Sequence, residues 1–370
     1  MTSRALQRLD AEIAAAADLG RAGCLRAERA ALLARMGRFD EAQAVLDALR
    51  AQHERAPHAS LGAWLALLQG LVEHYREFAG SARERILRAH ALAASARDRP
   101  LLALAAAWLA SMDYIYGDLP AVARHAAEAL QEAAADHHAA RSRAGLVVAQ
   151  SYHWGGRLDR AQPWYQRARE HALADGDEAA LSALMINRAW IAGEQVRLAS
   201  VFGEGAADAS DVRQALVGAE STANYDQHVG KVSLRWWLPV LRAQLLLAQG
   251  QHAQALATFD AHLPAALDAG LAYMSPVLFA DLAWCKLALG RRDDALVDAR
   301  TADAAFNADC EAEDRAGAHG RLAQVFDALG LPDDAARHAA QAAEDLAALR
   351  AQQAQLVGLL DQALAQVPGL

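Results

Sequence analysis

The chain has 370 residues, of which 54% are apolar and only 6% aromatic, and its formal net charge is −9. This charge argues against a general nucleic-acid binder, which needs a basic surface to neutralise phosphates, and gives no support to binding at a membrane surface. Ala and Leu, the strongest helix formers, dominate the composition, so we predict an all-α protein.

Cysteines and apolar runs limit the class of protein further. Cys24, Cys285 and Cys310 are widely spaced and form neither a disulfide framework nor a Cys-x-x-Cys zinc motif. The first ten residues lack the continuous apolar stretch of a secretory signal, and the longest apolar run, 101–110, is half of a membrane span. We therefore expect a reduced, cytoplasmic protein with no membrane segment, metal or cofactor.

The predicted helices come in pairs. Most pairs are joined by a turn in which a glycine, able to adopt the left-handed conformation, ends the first helix, and an Asp or Pro starts the second. The turn glycines are Gly37, Gly117, Gly156, Gly250, Gly290 and Gly330. In chain order the predicted units are 5–55, 58–97, 100–138, 140–177, 178–224, 231–270, 274–313 and 315–350, with a C-terminal extension or capping helix over 351–370.

The last three turn glycines lie 40 residues apart, and a fixed period of 20–50 residues is typical of a stacked repeat array. The array is therefore predicted to form one domain over 1–370, an α-solenoid of about eight antiparallel helix pairs. Two predicted turns, near 77–81 and 196–211, lack the glycine. Because Gly156 and Gly250 are 94 residues apart instead of 80, we expect an inserted loop of about a dozen residues near 202–211.

Two further segments leave alternatives open. The polar stretch 224–231 fits either a loop at the rim of a binding groove or simply a longer connection. Apolar residues recur at heptad-like spacing in the last helix, which fits either a cap on the final unit or a seam for a homodimer. These residues are Leu346, Leu349, Leu356 and Leu360.

The spacing around the turns resembles that of tetratricopeptide repeats (TPRs). A small residue lies seven positions before the glycine and Ala lies five after it, as in Ala30, Gly37 and Ala42 or in Ala323, Gly330 and Ala335. The resemblance covers nearly the whole chain and implies a right-handed superhelix with a concave groove. Here the period is near 40 instead of 34, and longer-period versions look like the sensory arrays of bacterial transcriptional activators and signalling enzymes.

The resemblance also implies which residues face the groove, since its groove-facing positions recur at spacings of three and four along the first helix of each pair. Carried over residue by residue, these positions are Ser111, Tyr114, Arg143, Leu146, Gln150, His153, Ile186, Trp190, Trp237, Val240, Gln244, Ala280, Trp284, Gln324 and Asp327. Trp190, Trp237 and Trp284 would anchor a partner, because Trp buries a large area and keeps a polar handle. The alternative is that these rings pack between helices.

No catalytic constellation is present in the sequence. His137 and His138 are adjacent and cannot share a helix face as metal ligands, and Ser151 lacks the strand and glycines of a nucleophile elbow. We expect a non-enzymatic adaptor or scaffold that binds a protein or peptide in its groove. The alternative is a sensory module that binds a small ligand or peptide and signals to an output partner. A deep closed pocket holding Trp190 and Trp284 would favour the sensor, and an open groove would favour an extended peptide.

Overall fold

The computed structural model describes residues 3–77, 80–203, 209–232, 236–307 and 310–369. All regular structure in these ranges is helical, so the all-α prediction is confirmed. The helices are α1 (Arg4–Ala15), α2 (Leu19–Arg35), α3 (Phe39–Arg55), α4 (Ala59–Glu77), α5 (Ser81–Ala96), α6 (Arg99–Ile115), α7 (Leu119–Glu132), α8 (His138–Trp154), α9 (Leu158–Asp175), α10 (Glu178–Phe202), α11 (Ala209–Val229), α12 (Trp237–Ala248), α13 (His252–Asp268), α14 (Ser275–Ala288), α15 (Arg292–Ala304), α16 (Ala312–Leu329) and α17 (Pro332–Leu364), with a 3-10 helix at Leu271–Met274.

The chain divides into two compact units. The first unit comprises Met1–Leu184, Asn224–Ser233 and Ala354–Leu370, and the second comprises Met185–Ala223 and Leu234–Gln353. In the first unit, α2/α3, α4/α5, α6/α7 and α8/α9 pack as pairs around buried residues such as Leu33, Leu67 and Val147. In the second unit, α12/α13 and α14/α15 form pairs around Phe259 and Phe326.

The six turn glycines take the conformation that the sequence predicts. All have positive φ, from 70° at Gly117 to 85° at Gly37. In each turn the amide after the glycine donates to the carbonyl five residues earlier, as Arg157 N does to Tyr152 O at 2.8 Å. This bond satisfies a carbonyl that a helix end would leave unpaired.

The structure differs from the predicted connections in two places. The interval from Gly156 to Gly250 is longer than two repeats mainly because its helices are longer. Helices α10 and α11 have 25 and 21 residues, whereas α8 and α9 have 17 and 18. Within the expected loop at 202–211, Phe202 ends α10 and Ala209 begins α11, and 204–208 lie outside the described residues. Segment 224–229 is the end of α11 and no loop. Ala and Leu, which recur in α10 and in the first half of α11, favour the helix.

The two ends of the chain also extend the predicted pairs. The predicted unit 5–55 contains a separate first helix, α1, before the pair α2/α3, and α17 continues without a break from Pro332 to Leu364. Leu356 and Leu360 are fully buried in the first unit, where they join a core cluster with Tyr152. This end of α17 therefore packs on the first unit and not on the last predicted pair; the cap on the final unit and the homodimer seam both stay predictions.

One stretch in the described residues, Leu271–Ala288, is long and apolar enough to cross a membrane by length and composition. More than half of it, 56%, is buried, and the core helix of a soluble protein passes the same test.

Candidate functional site

The first unit contains a cavity of about 50 Å³ lined by the first helices of its successive pairs. Arg143 and Leu146 of α8 line it, as do Trp64 of α4, Trp108 of α6 and Arg35 of α2. Helices α2, α4, α6 and α8 therefore bring residues far apart in the chain to one surface. Of the predicted groove residues, Arg143 and Leu146 lie at this cavity.

Arg143 is only 7% exposed. Its guanidinium carbon lies 3.9 Å from the centroid of the Trp108 ring, within the range of a cation–π contact. Burial lowers the pKa of Arg143, and the neighbouring Arg35 adds to this effect. The groups that favour the charge of Arg143 are therefore the Trp108 ring, Tyr75 and, from the same cavity, Asp177.

Arg35 and Asp177 form an ion pair at the same cavity. Arg35 donates to both carboxylate oxygens of Asp177, at 2.6 and 3.2 Å, and Asp177 also accepts from the amide of Ala180 at 2.8 Å, at the start of α10. Burial opposes ionisation of Asp177, but the guanidinium of Arg35 outweighs it and lowers the pKa of the carboxyl. The pair is bidentate and fixes the junction of α9 and α10.

Helix α1 supplies another part of the cavity lining. Arg8 donates to Asp175 at 3.0 Å, the Ala5 amide donates to the Gly176 carbonyl at 3.2 Å, and both Ala5 and Arg8 line the cavity. Beside them, burial raises the pKa of Glu28 to about 7. The cavity thus contains a carboxyl group that titrates near neutral pH.

Three other predicted groove residues of the first unit lie away from the cavity lining. Gln150 and His153 are buried, and Nδ1 of His153 lies 3.1 Å from the Tyr165 hydroxyl of α9. Tyr114 packs edge-to-face on Trp154, with ring centroids 6.4 Å apart. These residues join α6, α8 and α9 to one another.

The three predicted tryptophans belong to the second unit and pack against its core. The ring centroids of Trp190 and Trp237 are 4.6 Å apart at an interplanar angle of 57°, and Trp284 packs on the same core cluster. Each of the three keeps part of its surface exposed. They therefore contribute to packing and still present apolar area to solvent.

A polar network surrounds Trp284. Gln244 donates to Asp281 at 3.2 Å, and the Arg321 guanidinium lies 5.1 Å from the Trp284 ring centroid and donates to Gln324 at 2.9 Å. Three predicted groove residues, Gln244, Trp284 and Gln324, thus come together through Asp281 and Arg321. Asp327, also predicted, is exposed.

Sequence reasoning missed Asp281 and Arg321, although a signal was present. Each lies three positions before a predicted residue, Trp284 or Gln324, and residues three apart share a helix face. The same helical spacing would have found Arg197, seven residues after Trp190.

Arg197 of α10 is buried in the second unit and forms ion pairs with two carboxylates. It is 3% exposed, donates to Asp314 at 2.9 Å and bonds Glu194. Burial disfavours the charge of Arg197, but Glu194 and Asp314 outweigh it and raise its pKa. Burial, together with Glu194, raises the pKa of Asp314 well above its usual range.

A buried His–carboxylate pair, of the kind that general acid–base chemistry uses, lies elsewhere in the first unit. Nδ1 of His125 is 2.6 Å from Asp113 Oδ2, and Arg83 also donates to Asp113, at 2.8 Å. None of these three residues lines the cavity beside Arg143. Their geometry is that of an interhelical link between α5, α6 and α7.

Comparison with solved structures identifies the fold. The chain aligns with a Rap protein crystallised in complex with Competence and Sporulation Factor, with a TM-score of 0.55 and 12% sequence identity, over 94% of this chain and 92% of that chain. At this identity the likeness shows the fold alone. A scan against protein-family models and a search of curated proteins gave no match.

Proposed function

From this TPR-like, all-helical repeat fold, we propose that the protein is a non-enzymatic regulatory adaptor that binds a peptide or protein segment on the surface formed by the first helices of its pairs. In this proposal it acts in the cytoplasm, without nucleic acid or membrane as a partner. The Rap protein of similar fold was crystallised with a bound factor, which supports a binding function for this architecture.

The observation that carries the proposal is the group of partly exposed tryptophans in the second unit. Trp190 and Trp237 are in contact, and Trp284 lies beside Arg321. Trp and Arg are the side chains that most often dominate binding energy at an interface. Hydrogen-bonding groups around them, such as Gln244 and Gln324, would fix the register of a bound segment.

The second candidate function is a sensor for a small ligand. It is favoured by the cavity beside Arg143 in the first unit, which is lined by charged side chains, since small-molecule sites are concave and contain a few oriented polar groups.

The adaptor is tested by capture from a lysate of the native host on the immobilised full chain, with bound proteins quantified by mass spectrometry. The variant carries Trp190→Ala and Trp284→Leu, the second keeping an apolar group on the core. We expect captured partner to fall about tenfold or more, since truncating a hot-spot residue costs about 2 kcal/mol or more.

Trp164→Ala is the matched control. Trp164 lies on α9, the second helix of its pair, and has an arginine, Arg167, at 4.9 Å, much as Trp284 has Arg321. This variant should capture the partner as the parent does. Equal capture by all three proteins, with their circular dichroism unchanged, would remove the basis of the proposal.

A further inference from the structure

Arg143 has no carboxylate partner of its own at the cavity in the first unit. Arg35 is neutralised by Asp177, whereas among the described residues no Asp or Glu oxygen lies within 4 Å of the Arg143 guanidinium. Its uncharged partners are the Trp108 ring and the Tyr75 hydroxyl. Two guanidinium cations therefore face one carboxylate.

Other titratable groups around Arg143 do not form an ion pair with it. Burial, aided by Arg143 itself, lowers the pKa of His74 to about 4, so this imidazole is neutral at physiological pH. Asp175 is engaged by Arg8 at 3.0 Å. Glu28 is not within ion-pair distance of Arg143, and the charges that act on it are those of Arg8, Asp175, Glu12 and Arg21.

A buried and uncompensated charge is costly. Folded proteins pair such groups, because the desolvation of an ion is repaid only by a good partner. The contact with Trp108 offsets part of this cost. A guanidinium in this position suits a single anionic group that it can bind bidentately, a carboxylate or a phosphate oxygen pair.

The cavity beside Arg143 limits the size and nature of that group. Its volume is about 50 Å³, more than a single water requires. Its walls include Leu67, Leu71, Leu104 and Trp64, which suit an apolar tail. A dianionic phosphate would bring a second negative charge close to Asp177 and is disfavoured by it.

We propose that this cavity is a binding site for a monocarboxylate with a short apolar tail, in which the Arg143 guanidinium binds the carboxylate and the leucines and tryptophans contact the tail. The carboxylate belongs either to a free small acid or to the C-terminus of a peptide. This site lies in the first unit and is independent of the tryptophan surface on which the adaptor proposal rests.

The test uses the full chain and sodium butyrate, with butyramide as the uncharged isostere and sodium chloride at equal ionic strength as the control for general anion effects. Isothermal titration calorimetry and thermal unfolding are measured at neutral pH. We expect butyrate to raise Tm by about 2–5 °C at saturation, and butyramide and chloride to leave it unchanged. Equal shifts with chloride, or no shift with butyrate, would overturn the proposal.

Arg143→Met keeps the volume of the side chain and removes the charge. Butyrate affinity should fall at least about tenfold, the loss expected for one charge-assisted hydrogen-bonded contact, while the unliganded variant melts no lower than the parent, because an unpaired buried cation has been replaced by an apolar group. Undiminished butyrate binding by this variant would contradict the site. If the variant does not fold, Arg143→Lys and the butyrate–butyramide comparison on the parent chain decide the question.

Two more probes distinguish the source of the carboxylate. N-acetyl-leucine mimics a peptide C-terminus, and N-acetyl-leucinamide is its uncharged control. Tighter binding of N-acetyl-leucine than of butyrate assigns the site to a peptide C-terminus, and the reverse order assigns it to a free acid. Failure of both acids to bind would refute the site and leave the adaptor proposal intact, since that proposal is tested by the tryptophan variants.

Discussion

Two buried arginines, one in each compact unit, have similar exposure and opposite surroundings. Arg197 in the second unit is 3% exposed and lies against two carboxylates, those of Glu194 and Asp314. Arg143 in the first unit is 7% exposed and lies against an aromatic ring. Burial alone therefore does not tell what an arginine does; the partners already present decide whether it holds helices together or can accept a further ligand.

The largest expected effect tests this contrast directly. Arg197→Met leaves Glu194 and Asp314 buried without their cation, and breaking a buried pair from one side costs about 3–5 kcal/mol. The same replacement at Arg143 should change the free energy of unfolding by less than about 1 kcal/mol or increase it. Urea unfolding of both variants measures the difference, and equal losses would remove the distinction between the two arginines.

Helix packing in the second unit gives the next effect. A Cβ at Gly317 of α16 would lie 2.0 Å from Nη1 of Arg197, whose guanidinium is held by two carboxylates and cannot retreat easily. Gly317→Ala should therefore lower stability by about 2 kcal/mol, as overpacking does. A loss in Arg197→Met/Gly317→Ala that equals the sum of the single losses would show that Arg197 is not the obstacle.

The third prediction concerns the pH dependence of stability in the first unit, where Glu28 lines the same cavity as Arg143. Because burial raises the pKa of Glu28 to about 7, the folded state binds more protons than the unfolded state between about pH 4.5 and 7, and the contribution of Glu28 to stability falls as the pH rises through this range. Glu28→Gln should remove this loss and gain on the order of 2 kcal/mol over the parent at pH 8 and little at pH 4. A gain that is the same at both pH values would contradict the shifted pKa.

The smallest effect is expected at Gly358 of α17. No atom lies within 4 Å of a Cβ built there, in contrast to Gly317, so Gly358→Ala adds helix propensity without a clash. We expect a gain of about 0.5–1 kcal/mol, seen as a higher urea midpoint. A loss would mean that this part of α17 is packed more closely than the structure shows.

Local signals in the sequence were sufficient to predict the helix pairs. They were not sufficient to predict contacts between residues far apart in the chain. A glycine that ends a helix and a small residue five positions later depend only on neighbours in the chain, so the turns at Gly37 and Gly330 could be predicted. Arg143 was also predicted as a site residue. The pair beside it, Arg35 and Asp177, is separated by 142 positions, and helical spacing carries no information about such a contact.

The exposed turns give the protein a set of natural attachment points. The residues that follow three of the turn glycines, Arg157, Gln251 and Arg291, are exposed, so a label on any of them would not disturb the core. Burial raises the pKa of Cys24 to about 11 and those of Cys285 and Cys310 to about 12, so these native thiols stay protonated and react slowly with maleimides at neutral pH. A cysteine introduced beside each turn can therefore carry a fluorophore or spin label selectively, and pairs of such labels would report how the array responds when a partner binds.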